Sequence, residues 1–161
     1  MNNFENVEKK EIETDIMRYK NNSLSFLLCI IAIVCNVAMF LSLYSNTACV
    51  PNFQLGIDLL VNVIFLLSCF LAAEKLKTYN VSWSYVAFVI AGIEILRIFW
   101  IPTMYLKSGL EDPLKGLNAG QFTFIVIMMV IAAVSLVGAG IITLIKAKRL
   151  NAHLKRIEEG K

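Results

Sequence analysis

QFTFIVIMMVIAAVSLVGAGIITLI, residues 121–145, runs its whole length without an Asp, Glu, Lys or Arg. At about 1.5 Å of rise per residue, roughly 20 such residues in a helix cross the ~30 Å hydrocarbon core of a bilayer. This stretch therefore reads as a transmembrane helix, and three upstream blocks repeat the pattern. Residues 24–44 carry no charge, residues 55–73 carry only Asp58, and residues 82–101 carry only Glu94 and Arg97. The chain is 58% hydrophobic with a mean hydropathy of +0.68, too apolar for an ordinary soluble domain. The expected fold is all-α: a polytopic membrane protein with a four-transmembrane-helix bundle over 24–145 (24–44, 55–73, 82–101, 121–145). A cytoplasmic N-terminal segment, 1–23, and a basic cytoplasmic tail, 146–161, flank it.

Orientation follows from where the cations fall. Lys9, Lys10, Arg18 and Lys20 precede the first span, Lys75 and Lys77 lie between the second and third, and Lys146, Lys148, Arg149, Lys155, Arg156 and Lys161 follow the fourth. The opposite connections, 45–54 and 102–120, hold only Lys107 and Lys115. The bias predicts both termini in the cytoplasm, at the plasma membrane. A cleaved signal peptide is not expected, because Glu5, Glu8, Glu11, Glu13 and Asp15 make the segment before the first span acidic as well as basic. Cys49 is not expected to be lipidated, since Asn46 stands where such sites carry an aliphatic residue.

The basic excess needs no nucleic acid; inward bias and attraction to anionic lipid headgroups account for it. In the tail, Leu150, Leu154 and Ile157 recur at helical spacing among Lys146, Lys148, Arg149, Lys155 and Arg156. That pattern fits an amphipathic helix lying on the membrane surface or, equally, a solvated extension of the fourth span. Ile12, Ile16 and Tyr19 suggest a second amphipathic segment over 4–20. The 102–120 connection is expected to be the largest outer loop, with a short interfacial helix begun by Asp112-Pro113 and Leu114 and Leu117 facing lipid.

Catalytic and metal signatures are missing. There is no HExxH, paired-Cys pattern, Gly-rich phosphate loop or GxSxG elbow, and the single histidine, His153, sits in the tail. The expectation is a non-enzymatic protein without cofactor or metal. Cys29, Cys35 and Cys69 fall inside spans as small apolar residues, and Cys49 is alone on the outer side, so no disulfide framework is expected. Gly116 and Gly120 have GxxxG spacing but lie in a loop. The sequons at Asn21 and Asn80 fall on the cytoplasmic side.

Two features inside the spans carry more information. Met128, Ala132, Ser135, Ala139 and Thr143 share one face of the fourth span, a strip of mostly small side chains that admits a neighbouring helix closely. On the second and third spans, joined by a short connection, Asp58 and Arg97 fall about 22 Å from the inner boundary, and Asn62 and Glu94 about 16–18 Å. Asp58 and Asn62 are i, i+4 neighbours, and Glu94 and Arg97 are i, i+3 neighbours, so one rotation of each helix brings the four together. Asn36, on a first-span face with Ser25, Cys29 and Ala32, and Ser135 reach similar depth. The predicted buried cluster is thus Asp58, Asn62, Glu94, Arg97, Asn36 and Ser135.

Burying each charge costs about 2.5–3.5 kcal/mol even on the lenient insertion scale, so pairing is required. Two carboxyls against one guanidinium leave a net charge of −1, which a proton or cation would complete. One reading makes the cluster a lock for helix register in an accessory or assembly subunit of a larger membrane complex. The other makes it the ion or proton site of a small coupled transporter or channel, acting as a homo-oligomer with Glu94 as carrier. Size and span number resemble those of the small multidrug transporters. Those share a first-span glutamate where this chain has only Asn36, so the resemblance implies an architecture and no function.

Overall fold

The computed structural model describes residues 12, 14–17, 19–45, 52–111 and 118–159, with side chains given at all of these but 52–55, 58 and 102–111. Its main elements are four helices: α1, Ser23–Tyr44; α2, Asn52–Lys77; α3, Val81–Glu111; and α4, Ala119–Glu159. Each contains a stretch long and apolar enough to cross a membrane.

Local chemistry sets several ends. α2 and α3 are joined by Thr78, Tyr79 and Asn80, where the Thr78 hydroxyl donates to the Lys75 carbonyl at 2.9 Å and Tyr79 turns the chain with φ 57°, in the left-handed region. Asn80 then accepts the amide of Ser82 at 3.1 Å, a side-chain cap on the first turn of α3. At the start of α4, Gln121 reaches back to accept the amide of Asn118 at 3.2 Å, half of a capping box.

The four helices form a ring in which α4 packs along both α1 and α3, α2 leans mainly on α1, and α1 and α3 face each other across the diagonal. A line of buried positions advances in alternating steps of three and four: Ser25, Cys29, Ala32, Asn36, Met39 and Leu43 on α1, and Ile125, Met129, Ala132, Leu136, Ala139 and Thr143 on α4, with Cys35, Ala133, Ser135, Gly140 and Ala147 buried beside it. That 3.5-residue period is the seam of a left-handed bundle, the packing of four-helix proteins.

The polarity of the bundle is inverted relative to a water-soluble one. Leu27, Val34 and Leu41 on α1 and Leu96, Phe99 and Trp100 on α3 are all more than half exposed, whereas the buried residues include, beside Leu, Ile, Met and Phe, many Ala, Cys, Ser and Thr, three Asn, one Glu and one Arg. Lipid gives no hydrophobic incentive to hide leucine, so helices in hydrocarbon associate through small residues that let backbones approach. The arrangement is compatible with a membrane protein. The strip expected on α4 lies in this interior: Ala132, Ser135, Ala139 and Thr143 are buried, and Met128 packs against the core.

One expectation is corrected. Residues 102–111 are not loop: α3 continues past Ile101, through Pro102, to Glu111. Proline cannot donate to the carbonyl four residues back, but one lost bond leaves a long helix intact where neighbouring turns hold it. Helix α4 runs without interruption to Glu159, so the basic stretch to that residue continues the fourth helix. Asp112-Pro113, Leu114, Leu117 and Cys49 lie outside the described residues.

Gly140 marks a close approach of α3 and α4. A Cβ there would stand 3.0 Å from a Phe88 ring carbon and 3.3 Å from the backbone oxygen of Ser84, whereas Gly92 faces open space. Gly140→Val should therefore cost about 1–3 kcal/mol by overpacking, with Gly92→Ala near neutral, when unfolding is followed in detergent micelles. Equal stability of the two variants would refute the close contact.

Candidate functional site

Arg97 is the centre of the interior. Its Nη1 donates to Glu94 Oε2 at 2.8 Å and to Asn36 Oδ1 at 3.1 Å, and its Nη2 donates to Asn62 Oδ1. The guanidinium carbon lies 4.4 Å from the centre of the Phe65 ring, a cation–π contact. One side chain thus ties its own helix to α1 and α2, reaching across the diagonal that the backbones of α1 and α3 leave open.

Helix geometry explains how it gets there. Side chains in a helix point back toward its N-terminus, so the head of Arg97 falls about a turn nearer the start of α3 than its own Cα. That places it level with Glu94, three residues earlier, and with Asn62 on the antiparallel α2. Asn36 is held in place by donating its own Nδ2 to the Ala32 carbonyl, one turn back, at 3.1 Å. Counted from the nearer helix ends at about 1.5 Å per residue, Asn36, Asn62, Glu94 and Arg97 all lie roughly 20–24 Å from the α2–α3 turn. The cluster therefore sits in the half of the bundle remote from that turn.

Glu94 is wholly inaccessible and Arg97 only 9% exposed. The pair is neutral, one guanidinium against one carboxylate, and a guanidinium does not give up its proton inside a protein. Glu94 Oε1 is buried without a hydrogen-bond partner among the described residues. The carboxylate is thus half satisfied: one oxygen is paired with the cation and the other is free to accept.

The other expected members fall differently. Asp58 lies on α2, and its side chain is outside the described residues. Ser135 is buried on α4 yet makes no hydrogen bond to the Arg97 network. Of the tail cations, Lys148, Arg149, Lys155 and Arg156 are exposed, while Lys146 turns inward and donates to Asn22 Oδ1 at 3.3 Å. Among the described residues, no group of His, Cys, Asp and Glu is placed to hold a metal ion.

A second polar centre, at the opposite end of the bundle, was not read from the sequence. Asn22 is buried there. Its backbone amide donates to the Lys77 carbonyl at the end of α2 at 2.9 Å, and its side chain donates to Ser25 at 2.7 Å and to Thr143 of α4 at 3.0 Å. Asn22 had been read only as part of a sequon and Thr143 only as a packing residue. The available signal was the buried-face register that Ser25 and Thr143 share with their apolar neighbours. No protein-family model, curated protein or solved structure matches the chain.

Arg97→Leu leaves Glu94 buried without its cation and strips a donor from both asparagines, so it should lose about 3–5 kcal/mol of stability in detergent. Glu94→Leu together with Arg97→Leu removes both charges and should recover part of that loss, because an apolar pair has no desolvation cost. Unfolding of the two variants beside wild type measures this; an Arg97→Leu protein as stable as wild type would contradict the network.

Proposed function

We propose that the chain is a non-enzymatic, multi-pass integral membrane protein of the plasma membrane, with both termini cytoplasmic, that serves as an accessory or assembly subunit of a larger membrane complex. The observation that carries this reading is the Arg97 network. A transport site must release its ion and present it alternately to two sides, whereas this cation is permanently charged and bonded to three helices at once. Its charge is neutralised inside the bundle. What the molecule offers outward is an apolar flank and the stretch of α4 that continues beyond the apolar span to Glu159. Those are the surfaces through which other membrane subunits, or further copies of the chain, would be held, with anionic headgroups beside the basic tail.

One observation favours a second reading, a small proton- or cation-coupled transporter or channel working as an oligomer. Glu94 Oε1 has no hydrogen-bond partner among the described residues, and a buried carboxylate oxygen in that state is where a proton or cation would bind.

Purification from a mild detergent separates the readings. The assembly role predicts a stoichiometric second protein and a Glu94→Gln variant that assembles as wild type does. A homo-oligomer whose ligand binding depends on pH, with that dependence abolished in Glu94→Gln, would overturn it in favour of transport.

A further inference from the structure

The end of the bundle where α1 begins and α2 turns into α3 holds a pocket of about 330 Å³. Lys20, Lys146, Tyr79, Asn21, Ser23, Ile16 and Met17 line it. Two lysines are thus among its lining residues, and no carboxylate is among the described residues that line it. Lys146 is positioned: its Nζ donates to Asn22 Oδ1 at 3.3 Å, so it points into the junction where Asn22 joins α1, α2 and α4. Tyr79 is carried by the left-handed turn between α2 and α3. Burial pushes its hydroxyl above the ordinary value of 10, which keeps it a hydrogen-bond donor at neutral pH.

The start of α1 adds to this. Its N-cap, Asn22, makes no side-chain bond to the first-turn amides, because that side chain is engaged with Ser25 and Thr143, and the first turn contains no acidic residue. The positive end of a 22-residue helix is left without an anion of its own beside the two lysines.

Depth decides what kind of anion fits. Ser23, Lys77 and Val81, where three apolar helices start or end, all stand at this level, so the pocket lies where hydrocarbon would meet water. Polar and cationic groups lining one pocket together with Ile16 and Met17 match a phosphate whose substituent is apolar.

We propose that this pocket binds a phosphate-bearing anion, supplied either by the headgroup of an anionic phospholipid or as free phosphate, with Lys20 and Lys146 as its cationic contacts and Tyr79 as a neutral donor. The proposal rests on the reading of the chain as a membrane protein with this end in the cytoplasm, and it goes beyond the general attraction of a basic tail. It assigns one site, formed by the N-terminal segment, the α2–α3 turn and α4 together.

The test uses the full chain in nanodiscs of phosphatidylcholine, alone or with phosphatidylglycerol, with bound lipid read by native mass spectrometry after release. Wild type should retain one phosphatidylglycerol per chain in preference to phosphatidylcholine. Lys20→Gln should weaken retention about fivefold, and Lys20→Gln with Lys146→Gln by roughly the square of that factor. Because Lys146 also holds Asn22, the single Lys20→Gln variant, whose residue is exposed, is the arm that leaves the fold untouched. Lys148→Gln with Arg149→Gln, on the exposed tail, removes only diffuse attraction and should weaken retention far less than Lys20→Gln. Millimolar inorganic phosphate that protects the chain equally in discs without phosphatidylglycerol, with the same dependence on Lys20, would assign the site to free phosphate. No preference in wild type, or equal loss in the tail control, would overturn the site. Labelling of Ala152→Cys in intact cells by an impermeant reagent would separately overturn the orientation, leaving the nanodisc result to decide the pocket.

Discussion

A guanidinium that cannot lose its proton, placed where water is scarce, has to find every acceptor within the protein. Arg97 meets that demand with a carboxylate on its own helix, an amide oxygen from each of two others and the face of an aromatic ring. Its presence dictates more than its own contacts. The three acceptors must be level, their helices must be rotated to present them, and the spacing must be close enough for one side chain to span the diagonal. A slide of any of the three helices by one residue, about 1.5 Å, would break a bond that hydrocarbon cannot replace. The bonds from Arg97 to Asn36 and Asn62 thereby tie α3 to α1 and α2 in one register.

The interior is organised between two polar ends. Arg97 joins α1, α2 and α3 in one half, and Asn22 joins α1, α2 and α4 at the other. Between them lie Cys29, Ala32, Cys69, Ala72, Ala87, Ala91, Ala132 and Ala139, residues that fill little space and permit close packing. Polar bonds supply specificity at both ends, and close backbone approach, as at Gly140, supplies dispersion along the length. α3 and α4 pack extensively without sharing either polar centre, and theirs is where a glycine is required.

The four helices were legible in the sequence because uninterrupted apolar runs have few other meanings. Asn62, Glu94, Arg97 and Asn36 could be brought together by counting residues from a short hairpin, since helical rise is constant. The ends were less legible. Pro102 resembles a terminator, yet a helix can spare one bond, so α3 extends to Glu111. Arg97 was levelled with Asp58 by its Cα; its head donates to Asn62, a reach that counting Cα positions does not give, and the side chain of Asp58 lies outside the described residues. Ser135 shares the right depth and face but makes no bond to the cluster, because its short hydroxyl spans far less distance than a guanidinium. Asn22 escaped notice because its role depends on three helices meeting, and no local pattern records that.

The dependence of the bundle on Arg97 can be measured by a thermodynamic cycle. Asn36→Ala and Asn62→Ala would each be introduced into wild type and into Arg97→Leu, and the free energy of unfolding determined in one detergent. If Arg97 is what binds α1 and α2 to α3, each asparagine substitution costs stability in wild type and almost none once Arg97 is gone. The same cost in both backgrounds would show that the asparagines act independently and that the helices are held in register by something else.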